Sequence, residues 1–138
     1  MKRTVARTHE DLEVWRCAIE VAKGIYDLSA RLPSREMFGL ANQLRRAAVS
    51  IPANIAEGVA RGYTKEFLRF LGVAQGSLAE LQTHLVLVRE IYQLHTDDQL
   101  ERRLISLRRM LIRLRTSIQE SSVRTKIDSG SGHSHSDP

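Results

Sequence analysis

The chain has 138 residues and a mass of 15.7 kDa, the size of one domain and enough to bury a core without disulfides or a structural metal. Hydrophobic residues make up 42% and charged residues 27%, which excludes both a disordered and a membrane-embedded composition. The net charge is +5, yet the segment from Leu100 to Lys126 alone holds eight basic and two acidic residues; its net +6 leaves −1 for everything else, so a basic face sits on a nearly neutral body.

Cys17 is alone, which rules out an internal disulfide and fits a reducing cytoplasm. The start, "MKRTVARTHEDLEVW", lacks the apolar run of a secretory signal. No stretch approaches the roughly 20 apolar residues that span a bilayer. A soluble, cytoplasmic protein with no membrane partner is expected. Aromatic residues are only 5%, while Leu, Ala and Arg are plentiful, which favours packed helices over a sheet.

Residues 1–8 read as a flexible N-terminus, and a bundle is expected over 9–123. From His9 to about Arg31, Leu12, Trp15, Ile19, Ala22, Ile25 and Tyr26 share one helical face. Pro33 stops this run, and Ser34 or a neighbour is placed to cap the next helix, with Glu36 favourable in its first turn. The second helix, Arg35 to Arg61, carries Leu44, Ala48, Ile51, Ile55 and Val59 at spacings of 4, 3, 4 and 4, so its stripe passes through Pro52 without changing phase. Either Ser50 caps a new helix with Pro52 in its first turn, or one helix bends at Pro52; the unbroken stripe favours the bend.

The third helix, Thr64 to Tyr92, is the most regular. Phe67, Leu71, Ala74, Leu78, Leu81, Leu85, Val88 and Tyr92 alternate spacings of 4 and 3, an a/d seam held for more than three heptads. A second stripe of Phe70, Val73, Leu87, Ile91 and Leu94 widens the apolar face enough to meet more than one neighbour. "HTDDQ" turns the chain, with Thr96 or Asp97 as cap, and Leu100, Leu104, Leu107, Leu111, Leu114 and Ile118 repeat the seam on a fourth helix. Past Val123 the periodicity is lost, and residues 124–138 read as a disordered Ser/Gly/His tail. The expected fold is all-α, an antiparallel up-down-up-down four-helix bundle with its second helix bent at Pro52.

The stretches "FGLANQLRRAAVSIPANIAEG" and "FLGVAQGSLAEL" are the most specific part of a resemblance that covers about residues 10 to 120. The chain resembles the four-helix-bundle proteins encoded in intervening sequences of bacterial 23S rRNA genes, a family that includes the accessory variability determinants of diversity-generating retroelements. The resemblance implies a homopentameric barrel of antiparallel bundles. In the retroelement members it implies a basic surface, nucleic acid and a reverse transcriptase as partners.

Candidate chemistry is thin. A di-metal carboxylate centre needs Glu-x-x-His pairs on two helices, and the nearest approach, Glu80 with His84, is spaced by four and occurs once. Neither a phosphate loop, a nucleophile elbow nor zinc spacing is present, so the chain is expected to be no enzyme and to hold no cofactor or metal. Cys17 reads as a small core residue. Gly58 with Gly62, and Gly72 with Gly76, read as positions of close helix approach. Pro52, Asn54 and Glu57 read as a structural network, in which the Asn54 amide serves a carbonyl freed by the proline or a neighbouring backbone group, and Glu57 accepts from Arg45, Arg46 or another helix.

The functional signal lies in the arginines. Arg102, Arg109 and Arg113 recur at 7 and 4 along one side of the fourth seam, Arg108 and Arg115 recur at 7 on another strip, and Arg103 adds to the cluster. No glutamate at i±4 offsets them, and such rows on a straight rod can follow a phosphate backbone. With no base-reading motif or aromatic platform, binding of structured RNA or DNA by charge and shape is expected. The competing expectation is a protein–protein adaptor whose basic face meets an acidic partner.

Overall fold

The structure, a computed structural model, describes residues 9–133. A short 3-10 turn, His9–Asp11, precedes α1, Glu13–Ser29; a second, Ser34–Glu36, precedes α2, Leu40–Arg61; α3 spans Thr64–Tyr92 and α4 spans Asp98–His133. The described residues are helical and contain no strand. Each helix packs on two others in the ring order α1, α2, α3, α4, and the backbones of the diagonal pairs stay apart. α2 and α3 run in opposite directions: Glu36 at the head of α2 meets Tyr92 at the end of α3, Ser50 meets Ser77, and Gly58 meets Phe67 and Phe70.

The buried stripes carry the fold. In α3, Phe67, Leu71, Ala74, Leu78, Leu81 and Val88 are buried, as the seam spacing requires. In α4, Leu100, Leu104, Leu107 and Leu111 are buried, with Leu114 and Ile118 partly so. The buried face of α1 is Val14, Ala18, Val21, Ile25 and Leu28, not the predicted stripe through Trp15 and Tyr26. Trp15 packs edge-on against His9, and Tyr26 is half exposed beneath the Arg45 guanidinium. Two apolar stripes lie side by side on this helix, and α2 and α4 cover the other one.

The helix ends follow from local chemistry. Pro33 is followed by its own 3-10 turn, so Ser34 does not cap α2. The Glu36 carboxylate takes that role instead, accepting the Leu40 N–H at 3.2 Å on one oxygen and the Tyr92 hydroxyl at 2.5 Å on the other. A Cβ at Gly39 would meet that carboxylate, so a side chain there would have to displace it. Gly62 closes α2 at φ 78°, the left-handed conformation that favours glycine, and its N–H reaches Val59 O at 3.1 Å. Its role is this cap, not helix approach. Asp97 is the cap of α4, its carboxylate accepting the Leu100 N–H at 2.7 Å.

Pro52 lies buried within α2, which continues through it as one helix, so Ser50 caps nothing. The Asn54 amide donates to the Ser50 carbonyl at 2.7 Å and to its hydroxyl at 3.0 Å, and that hydroxyl shares a 2.7 Å hydrogen bond with Ser77 of α3. Polar groups between helices are thereby matched. Glu57 takes no part: it is exposed and accepts from Arg61, one turn on, at 2.9 Å. Of the glycine pairs, Gly58 is the close approach, since an added Cβ would lie 3.0 Å from Phe67 and Phe70, whereas Gly76 faces open space.

α4 runs on to His133, through a stretch whose sequence shows no apolar period. Extension of an existing helix avoids the nucleation cost, and a solvated helix end needs no apolar stripe. Between residues 119 and 130 only Ser122 is even partly covered, so this end stands clear of the bundle. Residues 1–8 and 134–138, read from the sequence as flexible or disordered, lie outside the described residues.

Asn54→Ala is expected to cost about 1–2 kcal/mol, because the Ser50 carbonyl and hydroxyl lose the amide donor, whereas Glu57→Gln stays within about 0.5 kcal/mol. Urea unfolding of the two variants measures the contrast. The Glu36–Tyr92 contact sets a pH window. The Tyr92 hydroxyl and the Leu40 N–H hold the Glu36 carboxyl below its ordinary 4.5, so its contribution is complete above that value and is lost as pH falls through the lowered one. The same contact raises the Tyr92 phenol above 10.0, so its contribution is complete below that pH and lost above it. Thermal melts of wild type and Glu36→Gln should differ on the plateau between these limits and converge at acid pH.

Candidate polyanion-binding face

The outer side of α4 is set by its leucines. With Leu100, Leu104, Leu107 and Leu111 turned inward, 3.6-residue periodicity puts Arg102, Arg109 and Arg113 on the opposite side, and all three are exposed. At 1.5 Å per residue the row from Arg102 to Arg113 is about 17 Å long. Arg108 is also exposed, on an adjoining strip. None of these four is in an ion pair among the described residues. The nearby acids lie toward the ends of the row: Glu101 is held by the Thr96 hydroxyl at 2.5 Å, and Glu120 follows beyond Arg113.

Two of the six predicted arginines are tied to the bundle. Arg103 lies half-buried against α1, with its guanidinium 3.7 Å from the Glu20 carboxylate. Its carbonyl accepts the Cys17 thiol at 3.6 Å. Burial raises the pKa of that thiol, an effect the positive charge of Arg103 opposes, so Cys17 is a weakly acidic packing residue. Arg115 crosses to α3, donating to Gln75 Oε1 at 2.7 Å, and rests over Gly72, where an added Cβ would sit 3.5 Å from its nitrogen. The strip of Arg108 and Arg115 is therefore divided: one arginine faces solvent and the other braces α3 to α4.

Pro52, Asn54 and Glu57 do not converge. Pro52 is buried, Asn54 donates to Ser50 of its own helix, and Glu57 points away into solvent. Glu80 and His84 stand 3.4 Å apart on α3, and among the described residues no three His, Cys, Asp or Glu side chains gather to hold a metal ion.

Two apolar residues within the basic face escaped the sequence reading. Ile105 and Ile112 are 46% and 44% exposed between the arginine rows. Their spacing of seven, offset by one from the leucine seam, was the available signal. A shallow groove lined by Arg109, Ile112, Arg113, Thr116, Ser117 and Glu120 continues this strip. Gln75, the partner of Arg115, was also missed, since it lies on another helix.

These features define a helical-bundle protein with one guanidinium-lined outer helix. Residues 10–113 match the family described as 23S rRNA-intervening sequence protein, and the chain belongs to that family. No curated protein shows significant similarity to it. No helix of the described residues is long and apolar enough to cross a membrane.

Arg115→Ala should lower stability by about 1–2 kcal/mol, since it removes a hydrogen bond and the stem that covers α3, whereas Arg108→Ala should stay within about 0.5 kcal/mol. Denaturant midpoints of the two variants make the comparison.

Proposed function

We propose that this chain is a non-enzymatic, homo-oligomeric helical scaffold of the cytoplasm that binds structured RNA or DNA through the outer face of α4. The observation that carries this reading is the row of Arg102, Arg109 and Arg113, exposed and without acidic partners on a straight helix. Guanidinium groups in such a row meet phosphate oxygens and release counterions, which provides affinity without reading bases. The family description, which names an rRNA intervening sequence, supports a connection to RNA. The family resemblance further supports a pentameric assembly and presentation of the bound strand to a partner enzyme such as a reverse transcriptase.

A second reading rests on Ile105 and Ile112. Apolar side chains between arginines suit a protein partner with an acidic, partly apolar surface, and make α4 the face of an adaptor without nucleic acid.

Fluorescence anisotropy of the full chain with duplex DNA, structured RNA and single strands over a salt series separates the two. Micromolar or tighter binding is expected, with log affinity falling by about 0.9 per phosphate contact for each tenfold rise in salt on duplex DNA. Arg102→Glu, Arg109→Glu and Arg113→Glu combined should reduce affinity at least tenfold while the helical circular dichroism is unchanged. Unchanged affinity in that variant sinks the assignment of this row. A partner captured equally well after nuclease treatment would favour the adaptor.

A further inference from the structure

The turn before α2 is built more firmly than a connector requires. Glu36 accepts from Leu40 and Tyr92, Arg35 lies over the Tyr92 ring at 5.5 Å, and Gly39 leaves room for the carboxylate. This turn holds Phe38 at 88% exposure and Met37 at 55%. An aromatic side chain fixed in water by a rigid turn loses little conformational entropy on docking, and such residues anchor interfaces.

A receiving surface exists on the same chain. Between the C-terminal half of α3 and the start of α4 lies a cleft of about 350 Å³ whose apolar lining is Leu85, Val86, Leu94 and Leu104. Asp98 and Glu101 stand on its rim, with Arg89, which is 3.5 Å from Glu90. The knob carries the opposite charge, Arg35, beside its two apolar side chains. Phe38 does not occupy the cleft of its own chain, as its exposure shows. Its turn is docked on Tyr92 from the α2 side, whereas the cleft opens toward α4.

We propose that the Met37–Phe38 knob of one copy inserts into the α3–α4 cleft of a second copy, with Arg35 meeting Asp98 and Glu101. The proposal rests on the homo-oligomeric part of the reading above and is independent of nucleic acid. Because knob and cleft are different surfaces, the contact is heterologous, and repetition closes a ring or extends a chain.

Light scattering on the full chain tests it. Wild type is expected at a multiple of 15.7 kDa. Phe38→Glu and Val86→Glu, both at exposed positions, should each fall to the single-chain mass with unchanged helical circular dichroism. Phe38→Ala, which introduces no charge, should weaken association at least tenfold. Mixed in equal amounts, the two Glu variants should recover a species of twice the chain mass, since one retains its cleft and the other its knob. An oligomeric Phe38→Glu variant, or a mixture that stays at the single-chain mass, overturns the knob-and-cleft contact and leaves the oligomeric reading standing. A monomeric wild type overturns both.

Discussion

Two long helices, α2 and α3, lie against one another from the Glu36–Tyr92 contact at one end to Gly58 beneath Phe67 and Phe70 at the other. At Gly58 an added Cβ would press on Phe67 and Phe70, and the Ser50–Ser77 hydrogen bond fixes the register between these ends. The two hydroxyls drawn from water are matched to each other, and a slide of one turn would part them at about 1–3 kcal/mol for each group left unpaired. The Asn54 amide adds a donor to Ser50 from within α2, just past Pro52. α1 and α4 then close the other half of the ring over the apolar faces that remain.

The roll of α4 about its own axis is set by two kinds of contact. Its leucines enter the core, and two arginines reach sideways in opposite directions, Arg103 toward Glu20 of α1 and Arg115 toward Gln75 of α3. With the helix held on both flanks, Arg102, Arg109 and Arg113 face water together. Charge of one sign is thereby concentrated on one side of a rigid rod, an arrangement that raises the local potential and costs self-repulsion. Such a face is most stable with an anionic surface against it. Ile105 and Ile112 give that face an apolar component, which a phosphate backbone does not use and a protein surface does.

Periodicity made the helices legible because burial of one face imposes it. The seams of α3 and α4 stand where their spacing placed them. In α1 the spacing was ambiguous: Val14, Val21 and Leu28 compete with Trp15, Ile19 and Ala22 for the core, and only the positions of α2 and α4 decide between them. The glycine pairs misled for a related reason. Spacing by four is shared by a close approach, such as Gly58, a left-handed cap, such as Gly62, and an open surface position, such as Gly76. Glu57 was grouped with Asn54 by proximity in the chain, and a spacing of three does keep the two near one face, but its carboxylate turns to Arg61 one turn on and not to another helix.

The sequence by itself determined the all-α class, the four long helices, the leucine seams and the concentration of arginine on α4. These are local properties: each follows from spacing within one helix or from the charge of one segment. Only the tertiary structure decided which arginines remain free and which are bound to α1 and α3, and that Glu36 rather than Ser34 caps α2. It also decided which of two stripes of α1 is buried and that Phe38 stands in water beside a charged turn. Those outcomes depend on partners distant in sequence, Gln75 for Arg115 and Tyr92 for Glu36, and no spacing along one helix encodes the side chain that another helix brings to it.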